Sequence, residues 1–552
     1  MNNTQETKFV QEPSKQKKIS FFSAMLIVIG GSIGAGIFFK SGGVLSNSQG
    51  SIVLAAFAWI IASLAVVTMG LALIEIASVR NDNLSLISWT KIFNGRIIYN
   101  ATKNFMVYIY LPLTYFFMPL YVIMSLQDGM GALLNKAAVF GTQADWLIWT
   151  VISLVMSIYF LTVPALWSKV GDIQNKVVTY IKFIPLAFVA IIGYVLKATG
   201  SSDAVITAST NGTKEFGDAI KAGSSLTELY GIGAGLGMFL AISAIFFAYD
   251  GFYVAAGISS EMKEPKKTPM ALLLGLLITT GIYLLIAISM SINGGSFWDM
   301  QSAMAKLFKN ETAARIIFGI MNIAIAIGVL GIINGFSMWA PRYVEDLIAE
   351  GEVPFWRHFY KKLNPNKPLV GVIYSLVLTI PVVLVFTLIG ALAYLPNIAD
   401  YGGYSQDARY SMARLYAFAD LMANWTALFT FAFIACAIAG AIKNKKTNRI
   451  HINQTVKGFK VYAYISSIII FAALAVTVLV PIIDMFLLAG IADKSSTAFT
   501  DTVVSRVMLV LTLFVYVALS FLPLVIEDAL HKKQYGSLKK YEEEKAKILA
   551  AK

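Results

Sequence analysis

The sequence predicts an all-α integral membrane protein. Of its 552 residues, 57% are hydrophobic and only 14% are charged, and the mean hydropathy is +0.70. A helix needs roughly 20 mostly apolar residues to cross a bilayer, and twelve segments have that character. The predicted transmembrane helices are Phe21–Leu45, Ile52–Val79, Met106–Gly131, Trp146–Val163, Val177–Leu196, Leu236–Ile258, Ala271–Ile292, Ala314–Ala340, Leu369–Ala393, Leu415–Ile442, Val461–Leu488 and Val503–Ile526.

The distribution of Lys and Arg predicts the orientation of these spans. Basic residues collect before the first span, in the loops after even-numbered spans and in the carboxyl-terminal tail. Positively charged loops stay in the cytoplasm, so we expect both termini to be cytoplasmic in a multi-pass protein of the plasma membrane. The net charge of +13 therefore reflects membrane topology and not nucleic-acid binding. Lys far outnumbers Arg, which suggests a low-GC bacterium.

Two predicted spans are interrupted. The first contains IVIGGSIGAGIF at Ile27–Phe38, and the sixth contains FFAYDGF at Phe246–Phe252. Irregular backbone at membrane depth is tolerated only where it is buried in protein or lines a cavity. Paired interruptions in corresponding segments of two halves indicate the binding site of a secondary transporter.

The positions of the breaks predict an inverted repeat of two five-helix units, with helices one and six broken and two extra helices at the end. Spans one to five begin inside and end outside, whereas spans six to ten run the opposite way. The predicted organisation is a cytoplasmic tail (1–18), the first repeat (19–197), an extracellular loop (198–228), the second repeat (229–442), helices eleven and twelve (443–526) and a cytoplasmic tail (527–552).

The first break is the main candidate for substrate binding. Small residues also allow close helix packing, but the four glycines of this stretch exceed what packing requires. Unwinding exposes backbone N–H groups and the start of a half-helix, which favours a carboxylate, while the free carbonyls suit an ammonium group. The candidate residues are Ile29, Gly30, Gly31, Ser32, Ile33, Gly34, Ala35 and Gly36.

The second break adds aromatic and acidic candidates. Phe246, Phe247 and Tyr249 offer aromatic surface beside the turn-forming pair Asp250 and Gly251. Asp250 is open to two interpretations: pairing with an ammonium group or substrate cation, or capping of the second half-helix through its carboxylate. The second interpretation is preferred.

Lys182 and Glu75 are further charged candidates within predicted spans. Lys182 is in the middle of the fifth span, where a charge is expensive and usually functional. It either reaches the cytoplasmic interface or faces the interior of the bundle and exchanges protons. Glu75, near the inner end of the second span, has Arg80 one to two turns away, which predicts an ion pair at the helix end or a capping role.

The sequence lacks the signature motifs of several other functions. There is no phosphate-binding G-x-x-x-x-G-K-[ST] motif and no H-E-x-x-H motif. A single cysteine, Cys436, excludes a cysteine-based metal cluster. We therefore expect no cofactor, no metal site and no catalytic residue. An integral-membrane enzyme or a channel is the alternative outside the transporter class, but polar clusters at membrane depth and repeated pore motifs are both missing.

Four segments resemble the amino acid–polyamine–organocation superfamily. They are GGSIGAGIF in the first span, GDIQNKVVTYIKFIPLAFVAIIG in the fifth, FFAYDGFYVAAGISSEMKEPKKTPMA from the sixth, and LGIINGFSMWAPRYVEDLIAEGEVP from the eighth. Their order and spacing match over roughly residues 20–360. The stretch NDNLSLIS at Asn81–Ser88 departs from the family pattern.

The resemblance implies a LeuT-type fold and alternating-access transport of amino acids across the plasma membrane. It implies that the backbone of Ile29–Gly36 binds the substrate carboxylate and that carbonyls of spans one and six hold its amino group. Lys182 matches a lysine that occupies a sodium site of other relatives, which implies sodium-independent proton coupling or exchange. A polyamine or cationic amino acid antiporter is the alternative. The expected partners are an amino acid, the lipid bilayer and a proton as coupling ion, with no nucleic acid and no obligate protein partner.

Overall fold

The computed structural model describes residues 20–34, 36–80, 82–142, 144–203, 216–229, 231–253, 262–364, 367–394 and 410–550, and these ranges contain helices and no β-strand. The α-helices are α1 (Phe21–Ser32), α2 (Gly36–Asn47), α3 (Ile52–Ala77), α4 (Leu86–Phe93), α5 (Arg96–Phe105), α6 (Leu111–Leu134), α7 (Asp145–Leu166), α8 (Ser168–Ala198), α9 (Phe216–Lys221), α10 (Gly233–Tyr249), α11 (Thr268–Ser291), α12 (Met300–Phe308), α13 (Glu311–Ala349), α14 (Trp356–Phe359), α15 (Leu369–Leu388), α16 (Tyr410–Thr447), α17 (Phe459–Leu487), α18 (Thr497–Tyr535) and α19 (Leu538–Ala550).

Two π-helical turns interrupt this pattern. One, Met106–Tyr110, joins α5 to α6 within a single long helical segment, and the other, Ile389–Ala393, extends α15. Short 3-10 turns occur at Leu226–Glu228, Pro265–Lys267, Tyr360–Lys362 and Leu488–Gly490.

Ten described helical segments are long and apolar enough to cross a membrane. They correspond to predicted spans two to five and seven to twelve. Helices α1 and α2 are bent by 59° relative to each other and form an eleventh span if the pair is counted as one. Helix α10 has 17 residues and corresponds to the first part of predicted span six. The predicted end of that span at Ile258 lies outside the described residues. The total of twelve stays a prediction.

Helix α10 lies in the middle of the bundle. It packs against α2, α3, α16 and α17, while α13 packs against α6, α7, α8 and α15. Lipid tails give no hydrophobic force between helices, so close backbone approach through small residues matters. At the contact of α6 with α13, a Cβ added to Gly319 would lie 2.9 Å from the carbonyl oxygen of Gly129. These glycines therefore let α6 and α13 approach each other closely.

The expected pairing of Glu75 with Arg80 is wrong. The Glu75 carboxylate lies 2.7 Å from the Lys445 ammonium and accepts the Val456 N–H at 2.7 Å. Arg80 lies beyond the end of α3 and pairs with Asp82 and, at 2.9 Å, with Glu350. Glu75 therefore ties α3 to the end of α16 and to the segment that follows it, although these residues are far apart in the chain.

The carboxyl-terminal helix α19 docks on the segment after α13. The Lys545 ammonium lies 3.2 Å from the Glu352 carboxylate, which also pairs at 3.2 Å with Lys91. The Tyr541 ring stacks on His531 with 3.6 Å between centroids. Arg357 pairs with Glu544 at 3.1 Å. The tail that follows the last span is thus partly folded onto the end of the bundle that the charge pattern predicts to be cytoplasmic.

Candidate functional site

The first break separates α1 from α2. Helix α1 ends at Ser32, and Ile33 follows with an extended backbone (φ −80°, ψ 109°). The Ile33 N–H still donates to the Ile29 carbonyl at 2.8 Å. Helix α2 begins at Gly36, and Ala35 lies outside the described residues. The first turn of α2 has no preceding helical turn to accept its backbone N–H groups.

Open space borders the end of α1. Outside the backbone of α1 itself, no atom of the described residues lies within 4 Å of a Cβ added to Gly30 or Gly31. Beside them, the Ser32 hydroxyl is buried, with the residue 1% exposed, and has no hydrogen-bond partner among the described residues. Buried polar groups are normally satisfied, so an unpaired one needs an explanation. A polar ligand in this space would supply the missing partner.

The other two glycines of the cluster allow close packing. A Cβ added to Gly34 would lie 3.0 Å from the Ile332 side chain, and one added to Gly36 would lie 3.2 Å from the Ala248 Cα atom. Both interpretations of the glycine cluster therefore have a counterpart in the structure: open space at its beginning and close helix contact at its end.

Lys182 reaches the first break from α8. Its ammonium group donates to the carbonyl oxygens of Gly30 at 2.7 Å and Ile33 at 2.9 Å. These are carbonyls that the break releases from regular helical bonding. The side chain therefore points to the interior of the bundle, where it places a positive charge next to the unwound backbone, and not to the cytoplasmic interface.

The second break is in contact with the first. Helix α10 ends at Tyr249, and Gly251 adopts a left-handed backbone with φ of 95°. A side chain at this position would be strained. A Cβ added to Gly251 would also lie only 3.7 Å from the Gly31 carbonyl oxygen. The two interruptions thus form one region of irregular backbone.

Tyr283 of α11 links the two breaks, a contact that the sequence did not predict. Its hydroxyl lies 2.7 Å from the Ser32 carbonyl oxygen and 2.8 Å from that of Ala248, and it accepts the Gly34 N–H at 3.3 Å. One hydroxyl group thus contacts backbone atoms of both breaks. A tyrosine within an apolar span has no local signature that would have revealed this role.

Asp250 is held from two directions. Its carboxylate accepts the Tyr110 hydroxyl at 3.0 Å and the Gly251 N–H at 3.0 Å. The second half-helix that it was expected to cap would begin outside the described residues, so that role stays a prediction.

The three aromatic candidates differ in their surroundings. Phe246 is fully buried and stacks on Phe431 of α16, with 4.5 Å between ring centroids. The Tyr249 hydroxyl lies 2.8 Å from that of Ser63 and 2.9 Å from that of Thr280, so it is engaged with α3 and α11. Phe247 lies next to α2 and is the aromatic candidate closest to Gly36, with 3.5 Å from its ring to a Cβ added there.

A family comparison identifies the type of protein. Residues 19–513 match the family model described as amino acid permease. The chain belongs to the amino acid permease family. The resemblance found in the sequence is thereby confirmed over nearly the whole length of the chain.

Relatives of the permease come from bacteria. An uncharacterized protein of Mycoplasma pneumoniae is 54% identical over 549 residues, which cover 96% of this chain and 97% of that protein. The serine/threonine exchanger SteT of Bacillus subtilis is 26% identical over 352 residues, 62% of this chain and 70% of the exchanger. A crystal structure of a mutant manganese transporter from Eremococcus coleocola has a TM-score of 0.50 at 13% identity, covering 94% of this chain and 97% of that one. This likeness shows that the permease has the LeuT-type fold.

The permease also has a buried ion pair beyond the first break. The Lys40 ammonium of α2 lies 2.6 Å from the Asp420 carboxylate of α16 and donates to the Tyr121 hydroxyl at 2.7 Å. It sits 4.4 Å from the centre of the Phe247 ring, an arrangement that favours a cation. A small cavity adjoins the pair and is lined by Phe39, Leu120, Tyr121, Met124, Tyr416, Ala419 and Asp420.

Proposed function

We propose that this permease is a sodium-independent secondary active transporter of amino acids that works by alternating access, through exchange or proton coupling. The observation that carries the proposal is the contact of the Lys182 ammonium with the carbonyl oxygens of Gly30 and Ile33. Free carbonyls at a helix break are ligands for a sodium ion in transporters of this architecture. Here a side-chain cation satisfies them, so no metal ion is needed at that place.

The chemistry of the break supports a zwitterionic substrate. The first backbone N–H groups of α2, the unpaired Ser32 hydroxyl and the nearby Lys182 charge all favour a carboxylate. Carbonyl oxygens at the ends of α1 and α10 suit an ammonium group. The proposed binding residues are Ile29, Gly30, Gly31, Ser32, Ile33, Gly34, Ala35, Gly36, Phe246, Phe247, Tyr249, Asp250 and Gly251, with Lys182 as the coupling residue.

Exchange of small neutral amino acids is the form of transport that the comparisons favour. SteT, to which this chain is similar, is a serine/threonine exchanger. Tyr283 and Tyr249 lie beside the irregular region, and the proposal of a small substrate side chain rests on the similarity to SteT. The bacterial origin of the relatives supports a location in a bacterial plasma membrane.

Uptake by reconstituted proteoliposomes tests this function. Radiolabelled serine is supplied outside, with sodium or choline as the external cation, and with or without unlabelled serine inside. A pH gradient is imposed in a parallel series. We expect uptake that does not depend on sodium and that rises with internal serine or with the pH gradient. A strict sodium requirement would overturn the coupling proposal, and absence of uptake for all amino acids tested would overturn the function.

A further inference from the structure

The π-helical turn between α5 and α6 positions Tyr110. A π turn inserts an extra residue into a helix and occurs often at functional sites. This turn is fixed by α13, because the Tyr343 hydroxyl donates to the Met106 carbonyl oxygen at 2.9 Å, which also accepts the Leu111 N–H. The Tyr110 ring packs edge-on against Phe336, with 5.5 Å between centroids. Tyr110 is therefore buried and rigidly held.

The Tyr110 hydroxyl donates to Asp250, whose position at the end of α10 disfavours a negative charge. Asp250 follows the last residue of α10, where the carbonyl ends of the helix carry partial negative charge that disfavours a carboxylate. No described Lys, Arg or His forms an ion pair with Asp250. Its donors are the Tyr110 hydroxyl and the Gly251 N–H, each at 3.0 Å. A carboxylate has room for about four hydrogen bonds, and the described residues supply these two.

We propose that Tyr110 is a specificity-determining residue of the permease, because its hydroxyl occupies the Asp250 carboxylate that would otherwise attract a cationic substrate side chain. The inference rests on the proposed function and names its substrate class. With Tyr110 in place, Asp250 is stabilised without a substrate cation, and neutral amino acids are preferred. Without that hydroxyl, the carboxylate gains by pairing with the ammonium group of a substrate such as lysine.

The hydrogen bond between Tyr110 and Asp250 is coupled to the proposed substrate region through Gly251. The same Asp250 carboxylate accepts the Gly251 N–H, and Gly251 faces the Gly31 carbonyl oxygen across the junction of the two breaks. A change in the partners of Asp250 therefore acts where the substrate is proposed to bind.

Competition between serine and lysine uptake in proteoliposomes tests the inference. In Tyr110→Phe, we expect the ratio of kcat/KM for lysine to that for serine to rise about tenfold, the effect of one hydrogen bond to a charged group. Asp250→Asn combined with Tyr110→Phe removes the acid and should cancel the gain. Tyr108→Phe is the matched control, because Tyr108 lies in the same π turn but pairs with Tyr374, and its ratio should equal that of the wild type.

The outcomes separate this inference from the proposed function. Serine uptake by the wild type with an unchanged ratio in Tyr110→Phe would overturn the role of Tyr110 and leave amino acid transport standing. Absence of uptake by the wild type would overturn the function itself. If Tyr110→Phe does not fold, Asp250→Glu changes the length of the acid and so alters its hydrogen bond with Tyr110, and an unchanged ratio in that variant equally overturns the inference.

Discussion

The Lys40 ammonium lies 2.6 Å from the Asp420 carboxylate, although the two residues are 380 positions apart in the chain. Lys40 is almost fully buried, with 1% of its side chain exposed, whereas 26% of the Asp420 side chain is exposed. The pair connects α2, which leaves the first break, to α16. Because α2 leads toward the predicted outer surface, we expect the pair to lie on that side of the proposed site.

Removal of one partner of this pair should destabilise the protein. Asp420→Asn leaves the Lys40 ammonium buried without a counter-charge, which we expect to lower the free energy of unfolding by about 3–5 kcal/mol. Lys40→Met combined with Asp420→Asn should restore most of that loss. Thermal unfolding in detergent measures both. The exposed pair of Lys306 and Asp203 is the control, since Lys306→Met should change the free energy of unfolding far less than Asp420→Asn. Equal effects at the two pairs would contradict this account.

Lys182→Ala should abolish transport or remove its dependence on pH. The substitution removes the cation from the Gly30 and Ile33 carbonyl oxygens, so the break loses the charge that we propose replaces sodium. Serine uptake as a function of external pH measures the effect, with membrane insertion checked separately. Lys176→Ala, on the exposed part of the same helix, should behave as the wild type. Wild-type rate and pH dependence in Lys182→Ala would rule out a coupling role.

Gly31→Val and Gly34→Val should both abolish uptake, but for different physical reasons. A side chain at Gly31 enters open space, so we expect the protein to stay folded while substrate binding is lost. At Gly34 the added side chain meets Ile332 at 3.0 Å, so the melting temperature should fall as well. Gly43 also borders open space but lies farther along α2, and Gly43→Val should retain uptake. Normal uptake by both variants at the break would refute the binding assignment.

Docking of α19 should be insensitive to pH over the physiological range. Burial by itself raises the pKa of Glu352, but the ammonium groups of Lys545, Lys91 and Lys103 hold it at about 2. The folded pKa lies below the ordinary value of 4.5, so the stabilisation is complete above that pH and is lost as the pH falls toward 2.

Hydrogen exchange of α19 measures this docking. Lys545→Ala removes one partner of Glu352 and should speed exchange in residues 538–550 at neutral pH. Lys547→Ala, at an exposed position of the same helix, should leave the exchange rates unchanged. Slow exchange in both variants would show that the ion pair does not hold the helix.

The sequence predicts the spans well because the signal for a membrane helix is local. A run of apolar residues of the right length is sufficient, and ten predicted spans have counterparts of the required length and hydropathy. Four clustered glycines disfavour a helix, and α1 and α2 meet in this stretch with a bend of 59°, while the broken sixth helix stays a prediction. The LeuT-type fold followed from the resemblance and is confirmed.

The contacts that complete the candidate site could not be predicted in this way. Tyr283 meets the first break across 249 positions, and Tyr110 meets Asp250 across 140. No pattern within one helix specifies which face will meet a distant partner. Glu75 illustrates the failure, because the nearest basic residue in the sequence was expected to be its partner and a residue of α16 takes that place.

The position of Lys545 in α19, after the last predicted span, has a consequence for biosynthesis. Glu352 and Lys545 are separated by 193 positions. At roughly 5–20 residues per second, translation needs about 10–40 s to pass from one to the other. During that interval, Lys91 and Lys103 have already been synthesised and can compensate the charge of Glu352. The surface that α19 covers is therefore completed late, and a nascent permease that stalls before Lys545 is made lacks this contact.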